Sequence, residues 1–147
     1  MSNVRIVLDS TVLISRFLTP FPGGTAFDLL ELVRRGACNA FVSPDILEEV
    51  RQVLLRSRIR RRYKFSDQDV EEYSLELMQI ASVLDPERKV RVVRDRNDDM
   101  VLDCAVAAEA AYVITRDHDL LSLESYEGIQ IVEPEEFLEI LRPRKKP

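Results

Sequence analysis

Val4-Arg5-Ile6-Val7-Leu8-Asp9-Ser10-Thr11 is the stretch on which the reading of this chain turns. Four of its first five residues are aliphatic, three of them β-branched, which is the composition of a short buried strand. Asp9 follows immediately, and Asp9-Ser10-Thr11 supplies capping side chains for a helix starting near Val12. A carboxylate inside Val-Leu-Asp-Ser-Thr-Val-Leu is costly to place without a task. The segment therefore predicts a strand that delivers an acid to its carboxyl end.

Outward from that point the same grammar recurs. Tyr112-Val113-Ile114-Thr115 reads as a strand of the same kind, followed after Arg116 by Asp117. Asn39 to Val42, Val90 to Val93 and Ile129 to Val132 complete five short strands. Between them, apolar spacing predicts helices over Val12 to Leu18, Thr25 to Arg35, Pro44 to about Arg56, Asp67 to about Ser82, and Asn97 to about Ala110. A closing helix over Glu135 to Leu141 is opened by Pro134. The Pro20-Phe21-Pro22-Gly23-Gly24 turn breaks the first helix and Gly36 ends the second. Ser43-Pro44 starts the third with an N-cap and a proline at the first helical position, and Ser66 or Asp67 caps the fourth. Asp117 to Leu123 reads as a loop with one helical turn. Strands alternating with helices predict an α/β fold with a mainly parallel five-stranded sheet, covered on both faces and joined by right-handed crossovers. Residues 1–141 form one domain in this reading, and 142–147 a basic C-terminal tail.

Composition narrows the function classes. A chain of 147 residues with 46% hydrophobic and 32% charged residues has the size and content of a single globular domain. Cys38 and Cys104 are isolated, which argues against a disulfide scaffold and against structural zinc. The N-terminus lacks a secretory pattern and no stretch reaches the roughly 20 apolar residues of a membrane span. The expectation is a cytoplasmic protein with no membrane partner. The formal net charge of -5 does not attract nucleic acid by itself. Its distribution is uneven: Arg56, Arg58, Arg60, Arg61, Arg62 and Lys64 form one basic block, Arg88, Lys89, Arg91, Arg94 and Arg96 a second, and Arg142, Arg144, Lys145 and Lys146 a third. Such blocks are either solvated faces or phosphate contacts flanking an acidic centre.

Four acids lie where elements start or stop. Ligand sites of parallel sheets lie outside the carboxyl ends of the strands, which is where Asp9 and Asp117 fall. Asp99 opens the helix leading into the fourth strand, and Glu48 lies in the first turns of the helix after the second. Carboxylates gathered together raise one another's pKa and destabilise the fold unless a cation compensates. An oxygen-rich set favours a hard ion, Mg2+ or Mn2+. His118, the sole histidine, reads as a surface loop residue, so hydrolysis would need a metal to generate hydroxide. Asp103 lies one helical turn beyond Asp99 and supplements the site or supports it by hydrogen bonding. Thr11, Ser43, Thr115 and Asp119 are further supporting candidates. Arg116 either touches substrate phosphate or neutralises neighbouring acids.

Four ordered segments resemble the PIN-domain family, specifically its toxin nucleases of prokaryotic toxin-antitoxin systems. They are Val7-Leu8-Asp9-Ser10-Thr11-Val12-Leu13-Ile14-Ser15, Val42-Ser43-Pro44-Asp45-Ile46-Leu47-Glu48-Glu49-Val50, Arg94-Asp95-Arg96-Asn97-Asp98-Asp99-Met100-Val101-Leu102-Asp103-Cys104-Ala105, and Tyr112-Val113-Ile114-Thr115-Arg116-Asp117-His118-Asp119-Leu120-Leu121. Ser10 stands where threonine is frequent, and Asn97 where proline or aspartate is. The resemblance spans Val4 to about Leu141. It implies a three-layer α/β/α sandwich and a catalytic and metal set of Asp9, Glu48, Asp99 and Asp117. It further implies RNA hydrolysis to a 3'-hydroxyl and a 5'-phosphate with Mg2+ or Mn2+, a small antitoxin partner and a homodimer. Three further readings stand beside it: a non-catalytic RNA- or protein-binding module, a DNA nuclease, and a phosphatase using Asp9 as nucleophile. The last resembles the haloacid-dehalogenase pattern, but Thr11 occupies the position of its second aspartate.

Overall fold

The computed structural model describes residues 4–86 and 96–142, with the side chains of Arg96 and Asn97 outside that description. In chain order the elements are β1 (Arg5–Leu8), α1 (Ser10–Leu18), α2 (Thr25–Arg34), β2 (Asn39–Val42), α3 (Pro44–Leu54), α4 (Ser57–Tyr63) and α5 (Asp67–Ile80). β3 (Ser82–Val83), α6 (Arg96–Ala108), β4 (Tyr112–Ile114), α7 (His118–Leu121), β5 (Ser125–Tyr126), β6 (Ile129–Val132) and α8 (Pro134–Leu141) follow.

Among the described residues, six strands make one sheet in the order β3-β2-β1-β4-β6-β5, parallel except for β5 against β6. The expected five strands are thus corrected to six, within an α/β/α layered fold. The difference has two local causes. Ala81 turns extended after α5, so Ser82 and Val83 pair with Phe41 and Val42 at the sheet edge instead of ending a helix. Glu127 and Gly128 both take positive φ and close a two-residue hairpin that lays Ser125–Tyr126 on β6. The strand expected at Val90 to Val93 lies outside the described residues, as does most of the basic tail. A further correction concerns the basic connection after α3, where Ser57–Tyr63 is helical.

β1 is central, and its apolar run suits that place: Ile6, Val7 and Leu8 are fully buried between β2 and β4. α1 begins two residues before the expected start because Asp9 is itself the N-cap, its Oδ1 accepting from the Ser10 amide. α2 ends as Gly36 predicts, in a Schellman arrangement: Gly36 N–H donates to Val33 O and Ala37 N–H to Leu32 O. Ser43 caps α3 by accepting from the Ile46 amide. The chain leaves β1 toward β2, and α6 brings it back across β1 to β4 on the other side. Strand order therefore reverses between β1 and β4, and the crevice at their carboxyl ends is where such sheets bind ligands.

Candidate metal centre

Asp9 stands in that crevice, 2% exposed, with its amide donating to Ile114 O at 3.0 Å across to β4. Its side chain accepts three hydrogen bonds. Oδ1 takes the Ser10 amide at 2.8 Å, while Oδ2 takes the hydroxyls of Thr11 at 2.8 Å and Thr115 at 2.6 Å. Those hydroxyls orient correctly because each also accepts an amide. Thr11 Oγ1 receives Arg116 N–H and Thr115 Oγ1 receives Asp117 N–H, so both protons are directed at Asp9. Burial pushes the Asp9 carboxyl above the usual range, the three hydrogen bonds oppose that, and the nearby Asp117 charge adds to it.

Asp117 follows β4 and caps α7, its Oδ1 accepting from Asp119 N and Leu120 N at 2.8 and 3.2 Å. Carboxylate oxygens of Asp98, Asp117 and Asp119 all lie within 4.8 Å of one another, the one such group among the described residues. Asp98 is buried at the start of α6, and the other two acids reach solvent. Three anionic oxygens so close repel unless protonated or bridged by a cation. Their spacing and chemistry fit a hard divalent ion, and no nitrogen or sulfur ligand stands in the group.

The expected acids distribute unevenly around this centre. Asp9 and Asp117 are joined through Thr115, and Asp119, expected as support, lies inside the acid group. Asp99 and Asp103 are both buried on α6 but outside that group. Glu48 points away: its side chain is 48% exposed and pairs with Arg51, which also holds Glu71. The acid of α3 turned toward Asp9 is Glu49, whose Oε2 accepts the Ser10 hydroxyl at 2.5 Å. Ser43 uses its hydroxyl as the α3 cap. Arg116 turns to α8, donating from both terminal nitrogens to Glu135 at 3.1 and 2.7 Å and lowering that carboxyl's pKa. His118 is exposed on α7, as a surface residue.

Helical phase is the signal in the sequence that points to Glu49 and Asp98, the two acids absent from the expected set. Glu48 shares a face with Asp45, Arg51 and Gln52, whereas Glu49 lies between Ile46 and Val53 on the apolar side. Asp98 likewise lies one turn before Leu102 and two before Ala105, both fully buried.

A family model described as the PIN domain matches residues 5–119. The fold is similar to the crystal structure of VapBC2 from Rickettsia felis bound to a DNA fragment from their promoter. That match has a TM-score of 0.60 and 11% identity over 87% of this chain and 97% of that one. It is also similar to PAE2754 from Pyrobaculum aerophilum, with a TM-score of 0.62 and 15% identity over 94% of this chain and 89% of that one. No curated protein matches in sequence. The solved structures agree on the fold, and the family match covers most of the chain, from β1 through the acids of α6 and α7: the chain belongs to the PIN-domain family.

Proposed function

We propose that the chain is a divalent-cation-dependent ribonuclease that hydrolyses RNA phosphodiesters to a 3'-hydroxyl and a 5'-phosphate, acting as the toxin of a toxin-antitoxin pair. The observation carrying this reading is the approach of the Asp98, Asp117 and Asp119 oxygens within 4.8 Å, beside the buried Asp9 at the strand-order reversal. Asp98, Asp117 and Asp119 would hold Mg2+ or Mn2+, with Asp9 behind Asp117. Such an ion supplies a water of lowered pKa and neutralises charge on the scissile phosphate.

The chain's own groups prepare that chemistry. Thr11 and Thr115 fix the Asp9 carboxylate in one orientation and favour its ionised form. Glu49, held by Ser10, takes the part expected of Glu48, an acid on α3 that holds a water or a second ion. Arg116 steadies the loop between Thr115 and Asp117 through Glu135 instead of meeting phosphate. The likeness to toxin-antitoxin PIN proteins supports RNA as substrate and a small antitoxin as partner, and a homodimer is what the sequence resemblance implies.

Purified protein is expected to cut single-stranded RNA with Mg2+ or Mn2+ and to stop on chelation. Asp9→Asn and Asp117→Asn should abolish cleavage while keeping the fold. Cleavage by D9N at the wild-type rate contradicts the assignment. Metal-independent RNA binding without any cleavage would instead favour a non-catalytic module.

A further inference from the structure

α4 is anomalous in this fold. The nine residues 56–64 hold six cations and no acid, in a chain whose net charge is -5. No residue of the helix is buried, and of its side chains Ile59 alone packs, partly buried, against the core. A seven-residue helix is marginal by itself, and like charges one turn apart, as in Arg56 with Arg60 and Arg58 with Arg62, weaken it further. Several described arginines elsewhere are neutralised or stacked: Arg34 on Glu76, Arg51 on Glu71, Arg116 on Glu135, Arg5 over Phe41. Of the α4 block, Arg60 pairs with Asp67, while Arg56, Arg58, Arg61, Arg62 and Lys64 are exposed without an ion pair among the described residues.

Aromatic groups stand among these charges. Ser57, Arg60, Arg61 and Phe65 line a recess of about 470 Å³. The Arg62 guanidinium lies 5.6 Å from the ring centre of Tyr63, which is 41% exposed. Cationic groups that track a backbone beside aromatic faces that accept bases are the two components of single-strand recognition. The position also suits the acids. Phe17 contacts Phe65 at 4.8 Å between ring centres and lies eight residues along α1 from Asp9, about 12 Å at the helical rise.

We infer that α4 is the docking element for single-stranded RNA, with Arg58, Arg61 and Arg62 on phosphates and Tyr63 against a base. This rests on the nuclease reading for the identity of the strand. The helix would hold the RNA a few nucleotides from the scissile bond, supplying the attraction that the acidic centre cannot.

The test is fluorescence anisotropy of a labelled single-stranded RNA of mixed sequence, in EDTA so that no cleavage intervenes, across a series of salt concentrations. Arg58→Gln, Arg61→Gln and Arg62→Gln combined should weaken binding about tenfold or more. The log-log salt slope should flatten by about 2, at about 0.7 per lost contact on a single strand. Tyr63→Ala should weaken binding several-fold and leave the slope unchanged. Arg35→Gln, an exposed change at the C-cap of α2, should alter neither, and an unchanged thermal midpoint of the triple variant checks the fold. Wild-type affinity and slope in the triple variant would overturn the inference. So would cosedimentation with phosphatidylserine vesicles that the triple change abolishes while RNA affinity stands. Cleavage by wild type with α4-independent binding sinks the docking element alone; α4-dependent binding with no cleavage supports it and sinks the nuclease reading alone.

Discussion

Asp9 is buried and accepts three hydrogen bonds, yet its carboxyl titrates above the usual range because burial outweighs them. Between the ordinary and the raised pKa the folded state binds the proton more tightly than the unfolded chain, so stability falls as pH rises through that window. In metal-free buffer, thermal melts of wild type should lose ground to Asp9→Asn as pH climbs from the ordinary carboxylate range, and the gap should level off once Asp9 is ionised. Added Mn2+ should then raise the wild-type midpoint above that window, and D9N, which keeps Asp98, Asp117 and Asp119, should still respond but by less. A gap constant with pH contradicts the raised value. At the neighbouring helix, Glu49→Gln should reduce RNA cleavage strongly and Glu48→Gln should leave it near wild type, as measured by initial rates at saturating Mn2+. Asp9 is legible in the sequence because a carboxylate directly after an apolar strand is costly to bury unless it serves a site, and Asp117 because it lies in the first loop beyond a strand of the same kind. Glu48 against Glu49, and Asp99 against Asp98, turn on 100° of helical phase, which adjacent acids blur unless the whole apolar face is followed.

Elements with strong punctuation are legible: β2 and β6 match their expected bounds, and α2 stops at its Gly36 cap. Those without it are not. β3 and β5 are two residues each, too short for a periodicity to show, and their pairing comes from neighbours they meet in space. α4 offers only Ile59 and Tyr63 among four arginines and a serine, too few apolar positions for a periodicity to show. α6 ends in the same hydrogen-bond pattern as α2, Ala110 N–H to Ala105 O and Glu109 N–H to Val106 O, but with Glu109 at φ 52 where α2 has glycine. Because a side chain is strained there, Glu109→Gly should stabilise the protein by about 1 kcal/mol in denaturant melts. Tyr73 ties α5 to α1 through its hydroxyl on Leu13 O at 2.7 Å. Tyr73→Phe should cost about 1 kcal/mol by the same measurement. The thiols are sealed in the core: burial pushes Cys38 up to about 11, and burial with the Asp103 charge pushes Cys104 up to about 12. Both should resist alkylation in the native state and react readily in denaturant.

At the scale of the whole molecule, the reversal of strand order between β1 and β4 brings together acids more than a hundred residues apart in sequence, Asp9 with Asp117. The mainly parallel sheet is legible from alternating strands and helices, since parallel neighbours need long crossovers, but the strand order that decides which strand ends share a crevice comes from the structure. The residue-level membership of the acid group is not legible either, because it depends on how far α6 and α7 carry their first turns over the sheet edge. No described helix is long and apolar enough to cross a membrane. Charge is separated along the molecule, acids at the strand ends and cations on α4. The central claim is that Asp98, Asp117 and Asp119 form a divalent-cation centre, and calorimetric titration of the chelator-stripped protein with Mn2+ tests it most directly. Saturable binding in wild type that weakens at least about tenfold in Asp98→Asn and in Asp117→Asn, with Glu48→Gln unchanged, is the predicted result; equal Mn2+ affinity in all four proteins would contradict it.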